Sequence, residues 1–218
     1  MKILNNNINK SKKDYLPIWI YIGVQVCISI ILEFLLIVFK LPNELITTLQ
    51  SFIPSGIIFI TLIIIYYKRL KNDFLNLKKK DFLSIFIITI LLIAINYGLS
   101  VLFESFNIKS DNQEMINNMF LNYKLLISLD VVLFAPFIEE FVFRYSIDSA
   151  CKKNLMFLML SSIIFGIMHG INITIIIYIF IGLVLSYSYL KYNRNIIIPI
   201  IIHMLNNLFA IITMFLSL

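Results

Sequence analysis

The stretch Phe137-Ile138-Glu139-Glu140-Phe141-Val142-Phe143-Arg144 sets two carboxylates and a guanidinium among Leu, Val, Phe and Ile. A charge at mid-bilayer costs at least ~2.5 kcal/mol, so such groups are usually paired or functional. On a helix, Glu140 and Arg144 are i and i+4 with the acid on the N-terminal side, the favourable order for a pair. Glu139 is rotated from Glu140 by about 100° and is left without a local partner. A carboxylate desolvated in this way is a stronger proton acceptor, which is what a general base needs. Pro136 removes a backbone hydrogen bond just ahead of it and is expected to kink the helix and admit water. The plainer alternative makes both glutamates helix-packing groups satisfied by Arg144, and it suits Glu140 better than Glu139.

Both histidines of the chain also fall in apolar segments. His169 closes Phe165-Gly166-Ile167-Met168-His169, and Gly166 and Gly170 allow close helix approach and a break after the histidine. His203 and Asn207 are i and i+4 and share a helix face, with Asn206 close to it. An imidazole beside a carboxamide can hold a water, polarise a carbonyl or bind a metal. The alternative is hydrogen bonding between helices through Asn. A glutamate, two histidines and an asparagine on three helices are the ingredients of a water-activating hydrolase. Two further acids, Glu33 and Asp130, lie in apolar runs outside these motifs.

The elements that hold these residues belong in a bilayer. Apolar residues make up 60% of 218, charged residues 14%, and the mean hydropathy is +0.93. Soluble domains carry about 25% charge, and a chain this apolar cannot hide its surface in one globular core. Spans of about twenty apolar residues predict an all-α polytopic protein with about seven transmembrane helices and an intramembrane cavity. They fall near 15–39, 50–67, 82–103, 125–147, 155–170, 173–190 and 195–217. Residues 1–14 are expected to be a basic cytoplasmic tail and 15–218 one transmembrane domain, with a polar loop over 104–124.

With the N-terminus inside, Lys2, Lys10, Lys12, Lys13, Lys68, Arg69, Lys71, Lys78, Lys79, Lys80, Arg144, Lys152, Lys153, Lys191 and Arg194 face the cytoplasm. Lys40, Lys109 and Lys124 alone fall outside, an asymmetry that predicts orientation. The net charge of +6 is then a topology signal facing anionic lipid, with no call for a nucleic-acid partner. The first apolar run carries Glu33 and no small-residue cleavage site, so a retained helix is expected there. Cys27 is expected to be shielded and Cys151, in a basic loop, to be accessible from the inner face; no disulfide is expected.

The three motifs, Glu139-Glu140-x-x-x-Arg144, Phe165-x-x-x-His169 and His203-x-x-x-Asn207, resemble the signature of the CAAX protease and bacteriocin-processing (CPBP, or Abi) family of intramembrane endopeptidases. That family is related to the type II CAAX prenyl endopeptidases. The resemblance covers about 125–215. It implies peptide-bond hydrolysis with Glu139 as general base and His169 orienting the water. His203 and Asn207 would form the oxyanion hole, and Glu140 and Arg144 would support the site. The cofactor stays open: a divalent metal such as zinc fits two His and a Glu, but the HExxH spacing is absent and a metal-free water fits as well. The implied partner is a membrane-associated peptide or protein, such as a bacteriocin precursor or pheromone, or the chain serves in self-immunity. A non-catalytic immunity or scaffold protein and a small proton-coupled transporter are the competing readings; the absence of an inverted repeat speaks against the transporter.

One count sits badly. Glu139 and His203 lie roughly 12–13 Å from the inner loops, but His169 lies roughly 22 Å from Asn154, at 1.5 Å per residue. The fifth helix must therefore tilt, begin outside the bilayer, or have other bounds.

Overall fold

In a computed structural model, which describes residues 15–40 and 42–216, the described residues form helices joined by short turns. The expected 1–14 tail and its four lysines lie outside the described residues. The helices are α1 (Leu16–Phe39), α2 (Asn43–Leu75), α3 (Lys79–Ser105) and α4 (Asp111–Leu129). A π-helical turn π1 (Asp130–Phe134) leads into α5 (Ala135–Glu139), a second π segment π2 (Glu140–Ser146) and α6 (Ile147–Ala150). Then follow α7 (Asn154–Met168), α8 (Ile175–Lys191) and α9 (Ile197–Leu216).

All seven expected spans are helical. Among the described residues, Leu16–Phe39, Leu45–Leu75, Lys79–Ser105 and Ile197–Leu216 are long and apolar enough to cross a membrane. Asn154–Met168 and Ile175–Lys191 are shorter apolar helices. The fold is an all-α polytopic membrane protein. Its outer faces carry Trp19, Ile64, Phe86 and Leu125 exposed, as lipid-facing helices do.

The expectation of a polar loop over 104–124 is corrected. Residues from Asp111 onward form α4, whose Ser110 N-cap accepts from the backbone N–H of Gln113. Polar side chains hide this helix from a hydropathy reading, but the cap marks its start. Tyr123 breaks the helical dihedrals (φ −135°, ψ 53°) where polar and apolar halves join. The cysteine expectation also changes: Cys151 is buried (3% exposed) and Cys27 is exposed on α1. Cys151 sits under the turn into α7, its N–H bonded to the Asp148 carbonyl.

Helix packing follows from small residues and released carbonyls. Pro54 has no N–H, so the Gln50 carbonyl one turn earlier is freed; Gln25 of α1 donates to it at 3.2 Å. Helices α7 and α8 meet through Ser161, Ser162, Gly166, Gly182 and Ser186. Ser186 Oγ donates to Ser161 Oγ, and Ser161 Oγ donates to the Phe143 carbonyl at 2.7 Å. At the opposite end from His169, Arg194 grips Asp148 (2.7 Å) and Asn154 (2.6 Å). Arg69 donates to the Arg194 carbonyl, tying α2 to the α8–α9 turn.

A Cβ at Gly182 would stand 2.9 Å from Ser162 Cα, a backbone atom that cannot swing away. Gly182→Ala should therefore lower the melting temperature in detergent, an overpacking cost of about 1–3 kcal/mol. Gly98→Ala, where nothing lies within 4 Å, should leave it unchanged or slightly raised. Equal melting temperatures for wild type and Gly182→Ala would contradict this packing.

Candidate active site

The motif helix is not a plain α-helix. Pro136 falls in the first turn of the short α5, with a π turn on either side. Widened π turns recur at functional sites because they free backbone groups and re-aim side chains. Ser146 Oγ takes up the Phe141 carbonyl within π2.

Glu140 lies at the centre. Its side chain and that of Arg144 are both 0% exposed, with Arg144 Nε 3.1 Å from Glu140 Oε2. The contact is an ion pair whose angles fall outside hydrogen-bond geometry. Arg144 Nη2 donates to the Gly182 carbonyl at 3.4 Å, and the guanidinium lies 4.6 Å from the centre of the Phe165 ring. Oε1, the other Glu140 oxygen, meets His203 Nδ1 at 2.9 Å. Since an ionised carboxylate only accepts, the contact assigns a proton to Nδ1 of His203, and in that tautomer Nε2 is a bare acceptor.

The Glu139 side chain is 23% exposed. Its Oε2 lies 3.9 Å from His169 Nε2 and 3.8 Å from His203 Nε2, with no hydrogen-bond partner. The expected separation of the two glutamates is therefore revised. They address the two nitrogens of one imidazole: Glu140 Oε1 meets Nδ1 and Glu139 Oε2 lies 3.8 Å from Nε2. His169 Nδ1 donates to the Phe165 carbonyl at 2.7 Å, so its Nε2 also faces Glu139 as an acceptor. The ring is sandwiched between Phe165 (4.3 Å) and Tyr178 (4.6 Å).

His169 caps the C-terminus of α7, and Gly170 follows at φ +139°, a conformation that favours glycine. The expected break after the histidine is there. The unequal depth counts resolve as well. Phe143 and Ser161 touch, yet Glu139 is four residues beyond the first and His169 eight beyond the second. The two side chains meet across this difference, at 3.9 Å.

Asn207 is only partly free. One of its N–H groups donates to the Val131 carbonyl in π1 at 2.9 Å, and its oxygen accepts from Asn206 at 3.3 Å. Asn206 in turn accepts from Asn96 of α3 at 3.4 Å. Sequence spacing anticipated the shared face of His203 and Asn207 but not these partners, since Val131 lies 76 residues away. Glu33 stays outside the site, accepting from Gln50.

A cavity of about 950 Å³ reaches Glu139, His169, His203, Asn206 and Asn207 from the α3–α4–α9 side. A second, of about 190 Å³, touches Glu139 and His169 from the α1–α2 side. Among the described residues no three His, Cys, Asp or Glu side chains gather as a metal-ligand set.

Residues 121–209 match the family described as Rce1-like, type II CAAX prenyl endopeptidase. The match spans all three motifs and bears out the resemblance to the CAAX proteases. Over those residues the chain is similar to a CAAX-type protease family. No curated protein and no solved structure matches the chain.

Removing one member of a buried ion pair strands the other, at a cost of about 3–5 kcal/mol. Glu140→Gln should thus lower the melting temperature well below that of Glu139→Gln. Adding Arg144→Gln to Glu140→Gln should restore part of the loss, as coupled neighbours do. Strictly additive losses in the double variant would show that the pair is not coupled.

Proposed function

We propose that the chain is an intramembrane endopeptidase that hydrolyses a peptide bond of a membrane-associated peptide or protein. The observation that carries this reading is Glu139 Oε2, partnerless and within 3.9 Å of two imidazole nitrogens. Gaps of this length between acceptors suit a water whose two O–H groups reach Glu139 and His169. As the water oxygen attacks the peptide carbonyl carbon, its proton passes to Glu139. Asn207 offers its second N–H to the oxyanion. His203 joins as a donor from Nε2 in its doubly protonated form, which takes its second proton from bulk water before the peptide binds and keeps it through the reaction, with Glu140 as counter-charge. Collapse breaks the C–N bond, and Glu139 returns its proton to the leaving amine.

Glu139→Gln keeps size and hydrogen bonding but cannot take the proton. It should melt like the wild type and lose peptide cleavage by about 10²-fold or more. A well-folded Glu139→Gln protein with near-normal turnover would remove the base and the mechanism with it. If purified wild type cleaves nothing while Glu139→Gln keeps full immunity in cells, the non-catalytic reading takes its place. Processing of a bacteriocin precursor or pheromone, or self-immunity, is the cellular role this chemistry suits.

The proposed setting is the cell membrane with the N-terminus in the cytoplasm, supported by the lysine and arginine asymmetry. Cys151 is too buried to report on it, whereas Lys152 and Lys109 are exposed. With both native cysteines replaced by serine, Lys109→Cys should react with an impermeant thiol reagent on intact cells. Lys152→Cys should react only after lysis. The reverse pattern would invert the orientation.

A further inference from the structure

Asp130 takes no part in the chemistry above, yet it is the most deeply held acid beside the site. It is 3% exposed in the wall where the two cavities meet. Its Oδ2 accepts a hydrogen bond from Ser51 and Ser55 also bonds the carboxylate, while Oδ1 has no partner in good hydrogen-bond geometry. A buried carboxylate satisfied on one side only lacks a donor. The smaller cavity around it is walled by Tyr21, Gln25, Ser51, Ser55 and Asn112, and its lining holds no lysine or arginine.

The larger cavity repeats the sign. Glu104, Glu114, Asp130 and Glu139 line it against one lysine, Lys109. The space that leads to Glu139 is thus acidic in a chain of net charge +6. The other lysines and arginines of the protein do not line either cavity, so a cation that met these acids would come with the ligand.

We propose that the smaller cavity is a specificity subsite for a lysine or arginine side chain of the substrate, with Asp130 as its counter-charge. This rests on the endopeptidase reading and names its substrate class: apolar membrane-associated peptides with a basic residue close to the scissile bond. Asp130 and Glu139 are nine residues apart along one helical run, about 13 Å at 1.5 Å per residue. Extended peptide advances about 3.3–3.6 Å per residue. The basic residue therefore falls within about four residues of the bond attacked beside Glu139. The Tyr21, Ser55 and Asn112 side chains are placed to accept the N–H groups that Asp130 leaves over.

The test uses the purified full chain and a set of apolar peptides of one length, each carrying a single lysine at successive positions. Matched peptides carry acetyl-lysine, which keeps the stem and removes the charge. At one position lysine should raise kcat/KM over acetyl-lysine by about tenfold or more, as a charge-assisted hydrogen bond would. Asp130→Asn should bring that ratio close to one.

A wild type with no lysine preference at any position overturns the subsite, whether or not Asp130→Asn folds. So does an Asp130→Asn protein that keeps the full preference, which would leave Asp130 a structural link to Ser51. Binding of the same peptides to Glu139→Gln separates the two claims. Lysine-selective binding by a protein whose wild type cleaves nothing would sink the endopeptidase reading and keep the subsite. Cleavage without selectivity would do the opposite.

Discussion

A carboxylate with no exposed surface must find its counter-charge inside the protein, and the site is organised by how Glu140 does so. One oxygen faces Arg144 and the other holds His203. Through Arg144 the same charge reaches the Gly182 carbonyl on α8 and the Phe165 ring on α7. A single residue therefore joins the motif helix, α7, α8 and α9. Buried ion pairs contribute little net stability compared with apolar packing. What this one supplies is register: a slip of either partner helix would strand a charge. With Glu140 committed twice, its neighbour Glu139 is left without a partner, which is the condition a base requires.

A second constraint shapes the scaffold around that pair. Buried carbonyls need donors, and a helix interrupted by proline and π turns releases several of them. Asn207 takes the Val131 carbonyl, Ser161 that of Phe143 and Gln25 that of Gln50. Each contact fastens a neighbouring helix at a fixed height against the motif helix or α2. These three polar side chains in the apolar helices thus receive carbonyls that lie in or beside the irregular backbone. Glu139 and Glu140, adjacent in the chain, meet opposite nitrogens of one ring.

How far the sequence disclosed this depends on the range of each interaction. Glu140 with Arg144 is an i,i+4 pair and was legible from spacing. So were the break after His169, from its glycines, and the shared face of His203 and Asn207. The bond from Glu140 to His203 joins residues 63 apart and has no local signal. The π turns could be suspected only from Pro136 inside an apolar run. Helix α4 escaped because hydropathy finds membrane spans and is blind to a polar helix, although Ser110 with acids in the following turn is a start signal. The Cys151 expectation failed for a related reason: loop membership does not give burial, and this loop is packed beneath α7.

The account turns on Glu140 fixing the proton of His203 on Nδ1. The chain has two histidines, so nitrogen NMR of ¹⁵N-histidine-labelled protein in detergent can resolve both, with a His169→Asn sample for assignment. The predicted result is a protonated Nδ1 on His203 that loses its hydrogen-bonded shift in Glu140→Gln, while His169 is unchanged. A bare Nδ1 on His203, with the proton on Nε2, would mean that Glu140 does not hold the ring and would contradict the arrangement at its centre.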